Sequence, residues 1–160
     1  MRRSDREVTD PGELEDIIRR AAVCHLAMVD GDTPYVVPLN FGYAFEEGVL
    51  TLYFHSARAG RKLDILRRNA QVCFEMAIEG GLLSNGDPCE TGFAYASVIG
   101  TGLAELLEDP AAQCRALSLL MKQQTGRELV FTPAQAAAVC TFCVRAVEIC
   151  GKRGPMPPHE

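Results

Sequence analysis

The chain is expected to fold as a mainly β protein, a small closed or nearly closed β-barrel with flanking helices. Three observations point there. Six segments carry the two-residue alternation of half-buried strands, most are joined by turns suited to antiparallel neighbours, and Val23 to His55 reads as uninterrupted strand. A doubly wound sheet would need regular strand–helix alternation, which that stretch excludes.

With 160 residues the chain suits one domain with a proper core and is short for two. That core is expected over about residues 5–153, with 154–160 as a tail. A net charge of −5 argues against a nucleic-acid surface, which needs clustered Lys and Arg. No apolar run approaches the roughly 18–20 residues of a membrane span. The start, MRRSDRE, lacks the apolar segment of a signal peptide. Seven cysteines, an odd number, then point to reduced thiols and a cytoplasmic location.

The elements follow in order. Residues 1–9 are charged and expected to be loose. Asp10-Pro11-Gly12-Glu13 starts a helix, with Asp10 as N-cap, Pro11 at N1 and Glu13 at N3 in a capping-box-like arrangement. Leu14, Ile17 and Ile18 form its buried stripe. Val23 to Val29 alternates with Cys24, Leu26 and Met28 on one face, and Asp30-Gly31-Asp32 is a turn. Pro34 to Phe45 reads as the next strand. Pro38 cannot donate a ladder hydrogen bond and so marks an edge or a bulge, with Asn40 on the same side.

Leu50, Leu52 and Phe54 then alternate with Thr51, Tyr53 and His55, and the pattern turns at Ser56-Ala57 into helical spacing through Leu63 and Leu66. A strand running into a helix leaves free N–H groups where the helix starts, and these favour an anion. Ser56, Arg61 and Lys62 at that mouth are equipment for one phosphate, with His55 beside whatever carries it. The competing reading makes Ser56 a helix cap and Arg61-Lys62 a solvated pair. Cations near a helix N-terminus oppose its dipole, so a bound anion accounts better for their placement.

Gln71 to Ala77 is a strand, and residues 79–92 read as the longest loop, a common place for function. Tyr95 to Leu107 is a long strand. Asp109-Pro110 opens a helix containing Leu117, Leu120 and Met121 and ending at Gly126, and Thr132-Pro133 opens a short one. The last strand is 139–149, with Gly151 onward as tail. Cys140 and Cys143 have CxxC spacing, but i and i+3 on a strand face opposite sides. With no second pair to complete a zinc site, they read as small core hydrophobes and no metal is assigned. His25 reads as a satisfied surface histidine, and His159 as part of a disordered tail. Cys89 would be reactive only if exposed and of lowered pKa.

The motifs PYVVPLNFGY (34–43), LYFHSA (52–57) with GRK (60–62), YASVIG (95–100) and VEICGK (147–152) resemble the pyridoxamine 5′-phosphate oxidase-like, FMN-binding split-barrel proteins. The nitroimidazole-resistance (Nim-like) branch is the most similar. The resemblance spans roughly residues 5–153 and keeps the motif order. It implies a homodimer with FMN in a groove at the interface and phosphate on Ser56, Arg61 and Lys62. Val37, Pro38, Leu39 and Asn40 would run along the isoalloxazine edge. Phe54, His55 and Gly60 complete the near side, and Tyr95 and Ser97, from the same or the partner chain, close the groove.

The implied activity is transfer of electrons from NADH or NADPH through FMN to a small oxidised acceptor such as a nitroaromatic, with His55 as candidate proton donor. His55 could equally be a flavin-side wall contact or simply end its strand. A non-catalytic flavin carrier, or a haem-binding or haem-degrading split barrel, is the alternative. The chain has no Trp, and Thr91-Gly92 follows Cys89 where Nim-like sequences often carry an aromatic. It also lacks the extra basic and aromatic residues that hold substrate phosphate in true pyridoxamine phosphate oxidases, so vitamin B6 oxidation is not expected.

Overall fold

The computed structural model describes residues 3–84 and 86–155. His159 and most of the expected tail lie outside the described residues. The elements are β1 (Glu7–Val8), α1 (Pro11–Arg20), β2 (Cys24–Asp30), β3 (Thr33–Leu39), β4 (Gly42–Glu46), β5 (Val49–Ser56), α2 (Arg61–Arg68), β6 (Gln71–Leu83), β7 (Gly92–Leu106), α3 (Pro110–Thr125), α4 (Pro133–Ala136) and β8 (Cys140–Arg153). The strands form one antiparallel sheet in the order β3-β2-β6-β7-β8-β5-β4, with β1 added to β8.

That order puts β3 and β4 on opposite edges, although only Asn40 and Phe41 separate them in sequence. Three Cα steps span at most about 11 Å. The two edges must therefore meet at this point, and the sheet curls into a barrel with its seam between β3 and β4. Side chains of one face fill the interior: Leu26, Phe74, Met76, Val98, Leu50, Leu52, Phe54, Phe142 and Val144 are buried. Phe54 and Phe142, directly opposite on β5 and β8, stack with centroids 5.0 Å apart.

Each helix covers part of this shell. α1 lies against β6 and β7 and buries Leu14, Ile17 and Ile18. α2 lies against β2 and buries Leu63, Ile65 and Leu66. α3 crosses β4, β5 and β8. It comes so near β4 that a Cβ on Gly42 would stand 2.3 Å from the Leu120 amide nitrogen, so only glycine fits there.

Several expectations need correction. Among the described residues eight strands form where six were expected. Pro34 to Phe45 is two strands on opposite edges, because the chain crosses the seam at Asn40; Pro38 does sit on an edge strand, as its missing N–H required. Glu7 and Val8 are not loose but pair with Lys152 and Gly151, so β8 continues to Arg153 instead of ending at residue 149. Polar, glycine-containing residues carry no apolar period there; neighbours on both sides supply the hydrogen bonds. Most of the expected 79–92 loop is ladder as well. β6 and β7 pair out to Leu83 and Gly92 past a bulge at Glu79/Gly81, which leaves a loop of residues 84–91. Cys143 is buried and Cys140 is half-buried against the core, in keeping with small core side chains.

Candidate functional site

The junction from β5 to α2 is built by an unusual helix start. α1, α3 and α4 are capped by Asp10, Asp109 and Thr132, whose side chains accept from the N–H of Glu13, Ala112 and Gln135. α2 begins after Gly60, which has no side chain to cap with. Gly60 has φ +142°, a conformation that side chains resist, and the space around its missing Cβ is open to 4 Å. The N–H groups of Leu63 and Asp64 return to the Gly60 carbonyl at 3.0 and 3.2 Å, leaving those of Arg61 and Lys62 without a cap. The helix mouth thus presents backbone donors and two cations.

Ser56 is not the cap of α2. It is 8% exposed, and its hydroxyl donates to the Ala57 carbonyl at 2.8 Å, so its proton is committed within the chain. Arg58 fixes the loop by donating to Ala137 O at 3.2 Å. Arg61 is held by two groups that sequence reasoning missed. Its Nε donates to Asp30 Oδ2 at 2.9 Å, and its guanidinium lies 4.4 Å above the centre of the Tyr35 ring. Arg68 donates to the other oxygen of Asp30 at 2.7 Å. No local signal could have found this, since Asp30 read as a turn residue and Tyr35 as one more strand residue. Lys62 is half-buried and forms no ion pair among the described residues.

Beside the junction lies the free edge of β3. Val37 and Leu39 are half-buried against the core, while Pro38 and Asn40 are exposed. The Asn40 Nδ2 donates to Ala22 O at 3.2 Å and to Gln124 Oε1 at 2.9 Å, so the group this amide still offers is its oxygen, an acceptor. His55 is exposed at the end of β5, opposite Thr141. The hydroxyl of Thr141 is the one buried side-chain polar atom among the described residues without a partner. Phe54 points the other way, into the core against Phe142, and can offer a groove only its main chain.

Tyr95 and Ser97 are not part of this cluster within one chain. Ser97 lies opposite Lys152 near the far end of β8, whereas Ser56 lies opposite Cys140 at its start. Twelve strand residues separate these points, roughly 40 Å of extended chain. Tyr95 has its own surroundings: Arg6 Nη1 donates to its hydroxyl at 3.4 Å, and Lys152 Nζ stands 5.6 Å from the ring centre. The hydrogen bond from Arg6, with a smaller contribution from Lys152, lowers the Tyr95 pKa. His25 is a surface histidine 3.0 Å from Glu75 Oε2, and Cys89 is exposed in the 84–91 loop.

Of the cavities that lie elsewhere, two bear on a ligand site. One of about 600 Å³ between α1, β4 and α3 is lined by Glu15, Arg19, Tyr43, Phe45 and Lys122. Its polar groups are already engaged, Tyr43 with Glu15, Arg19 with Asp16 and Lys122 with Glu128. The other, about 530 Å³, runs over the outer sheet face along Ala27, Val29, Pro34, Leu103 and Val147. It is an apolar surface and not a reactive centre. Among the described residues no helix is long and apolar enough to cross a membrane.

No protein of curated function matches the chain. Solved structures do. A candidate 5-nitroimidazole antibiotic resistance protein from Bacteroides thetaiotaomicron is 29% identical, with a TM-score of 0.78, over 92% of this chain and 86% of that one. An FAD- and haem-binding protein from Mycobacterium smegmatis shares the fold at 20% identity and TM-score 0.75, over 97% and 77%. An FAD-binding protein from Mesorhizobium loti does so at 24% and 0.65, over 92% and 96%. The sequence profile described as pyridoxamine 5′-phosphate oxidase matches residues 10–153, from the cap of α1 to the end of β8, and the chain belongs to that family.

Proposed function

We infer that the protein binds FMN and passes electrons from NADH or NADPH to a small oxidised acceptor such as a nitroaromatic. The observation that carries the reading is the uncapped start of α2, with Arg61 and Lys62 at its mouth and the free β3 edge alongside. These residues fit a phosphate joined to a flat polar ring. The backbone N–H groups and both cations would take the phosphate through charge-assisted hydrogen bonds. The main chain of Val37 to Leu39 would meet the ring edge, where Pro38 offers no donor of its own. Asn40 would accept a ring N–H through its free oxygen, and the main chain at Phe54 would close the inner side. When bound, the flavin supplies hydride and electron transfer. His55, exposed near the end of β5, would hold the proton delivered to the acceptor.

The reading includes a homodimer. Val29, Val36, Ile99, Leu103 and Val147 are each about half exposed or more on the outer sheet face, and isologous pairing would bury them. Tyr95 and Ser97, too far from the junction in their own chain, would then serve the partner's groove. The similarity to the candidate nitroimidazole-resistance protein supports the choice of acceptor.

The test is titration of the purified protein with FMN, FAD and riboflavin, followed by anaerobic NADH and NADPH titration of the loaded protein. Binding of FMN well above riboflavin, with reduction by a nicotinamide, is expected. Preference for riboflavin, or a bound haem in place of flavin, would contradict the reading. A monomer of 17.4 kDa in light scattering with flavin bound would contradict the dimer.

A further inference from the structure

We propose that Asp30 and Tyr35 are positioning residues for the phosphate-binding arginine: a carboxylate and an aromatic ring that hold Arg61 in its binding geometry before the ligand arrives. The proposal rests on the FMN reading above and adds a layer that supports it from β2 and β3.

A guanidinium has five N–H donors in a fixed fork. Asp30 engages Arg61 through Nε alone, at 2.9 Å. The two terminal nitrogens, the pair that recognises a phosphate in a bidentate way, donate to no other residue among those described. The Tyr35 ring, 4.4 Å below the guanidinium centre, fixes its plane. Edge and face are thus both held, and the outer corner of the fork is left free.

The Asp30 carboxylate would by itself repel a dianion. Arg68 removes that objection, since it donates to the second oxygen of Asp30 at 2.7 Å. The local group is two arginines and one carboxylate, and it retains a net positive charge for an anion. The side chain of Asp30 is 25% exposed, less than either arginine at 53% and 66%, as suits the fixed member of the trio. Long arginine side chains lose much freedom on binding, and prior fixation reduces that loss at the moment of association.

The experiment measures FMN and riboflavin affinity by titration for wild type, Asp30→Asn, Tyr35→Leu, Tyr35→Phe and Arg61→Ala, each with a thermal melt. A second series places Asp30→Asn and Tyr35→Leu in the Arg61→Ala background. Asp30→Asn and Tyr35→Leu should each weaken FMN by about 3- to 5-fold, with riboflavin unchanged. Tyr35→Phe should retain wild-type affinity because it keeps the ring, and both effects should vanish once Arg61 is gone.

Tighter FMN binding by Asp30→Asn would make the carboxylate a competitor and overturn the proposal. So would equal weakening of riboflavin, or effects that persist at full size in Arg61→Ala. The two readings fail separately. If Arg61→Ala changes the FMN-to-riboflavin ratio while Asp30→Asn and Tyr35→Leu do not, the positioning role falls alone. If Arg61→Ala leaves that ratio unchanged, the phosphate assignment falls with it.

Discussion

α1 and α2 are both short amphipathic helices, both bury three aliphatic side chains and both end on a pair of arginines, yet they begin in opposite ways. At α1, Asp10 accepts from the Glu13 N–H at 2.9 Å and Glu13 adds a second negative charge in the first turn. Side chains there complement the dipole and satisfy the backbone. At α2 a glycine takes the cap position in a conformation that excludes other residues, and Arg61 and Lys62 place positive charge against the positive end of the dipole. The first arrangement completes itself. The second is left incomplete by the chain, and in the proposed reading an anion would complete it. Local rules broken at one position and kept at every comparable one point to function at that position.

The largest effect that could break this contrast is on ligand binding. Arg61→Ala combined with Lys62→Ala should weaken FMN by about 3–5 kcal/mol relative to riboflavin. Thermal unfolding of the ligand-free protein should change little, because the lost contacts to Asp30 and Tyr35 are offset by removal of charge that opposes the dipole. Equal weakening of both ligands in calorimetric titrations would mean that the two cations serve the fold.

A smaller effect is expected at the cap itself. Gly60→Ala meets no neighbour within 4 Å, so its cost is the backbone alone, about 1–3 kcal/mol for holding a side chain at φ +142°. Urea denaturation would read this directly, and an unchanged midpoint would mean that the turn adapts without strain. Asp10→Ala and Asp109→Ala should show the converse pattern. Each should cost about 1 kcal/mol of stability through its lost cap and leave the FMN-to-riboflavin ratio untouched. A changed ratio in either variant would show that the capped helices are not the purely structural members of the comparison.

The smallest effect at working pH sharpens the same distinction between groups satisfied inside and groups left open. Burial pushes the Cys24 thiol up to about 12 and the Cys143 thiol up to about 11, from an ordinary 9.0. Above pH 9 the unfolded chain therefore loses protons that the folded chain keeps. Stability contributed by these thiols is complete below pH 9 and is lost as pH rises toward 11 and 12. Urea midpoints at pH 8 and pH 10 should fall less for a Cys24→Ala, Cys143→Ala double variant than for wild type. Exposed Cys89 should react with a thiol reagent in the folded state, and Cys24 only on unfolding.

Much of the candidate site was legible in the chain. A strand running through His55 into a helix with Arg61-Lys62 at its start is a local pattern, and the phosphate reading needed only that pattern. The capped starts of α1, α3 and α4 were legible for the same reason, since Asp10, Asp109 and Thr132 act on the next three residues. The parts that were missed are long-range. The contact of Asp30 with Arg61 spans 31 residues, and the pairing of Glu7 with Lys152 spans nearly the whole chain. Asn40 was expected along the isoalloxazine edge, and nothing local showed that its amide donors turn to Ala22 and Gln124.

The sequence by itself determined the mainly β class, the capped helix starts, the edge-or-bulge character of Pro38 and the two cations that stand at the start of α2, because periodicity, capping and proline chemistry act within a few residues. Only the tertiary structure decided that Pro34 to Phe45 splits across the barrel seam, that Phe54 faces the core, and that Tyr95 and Ser97 on β7 stand near the opposite end of β8 from the residue that faces Ser56. These depend on which strands lie side by side. Strand order is set by how the whole apolar face closes on itself, and no short stretch of the chain contains that information.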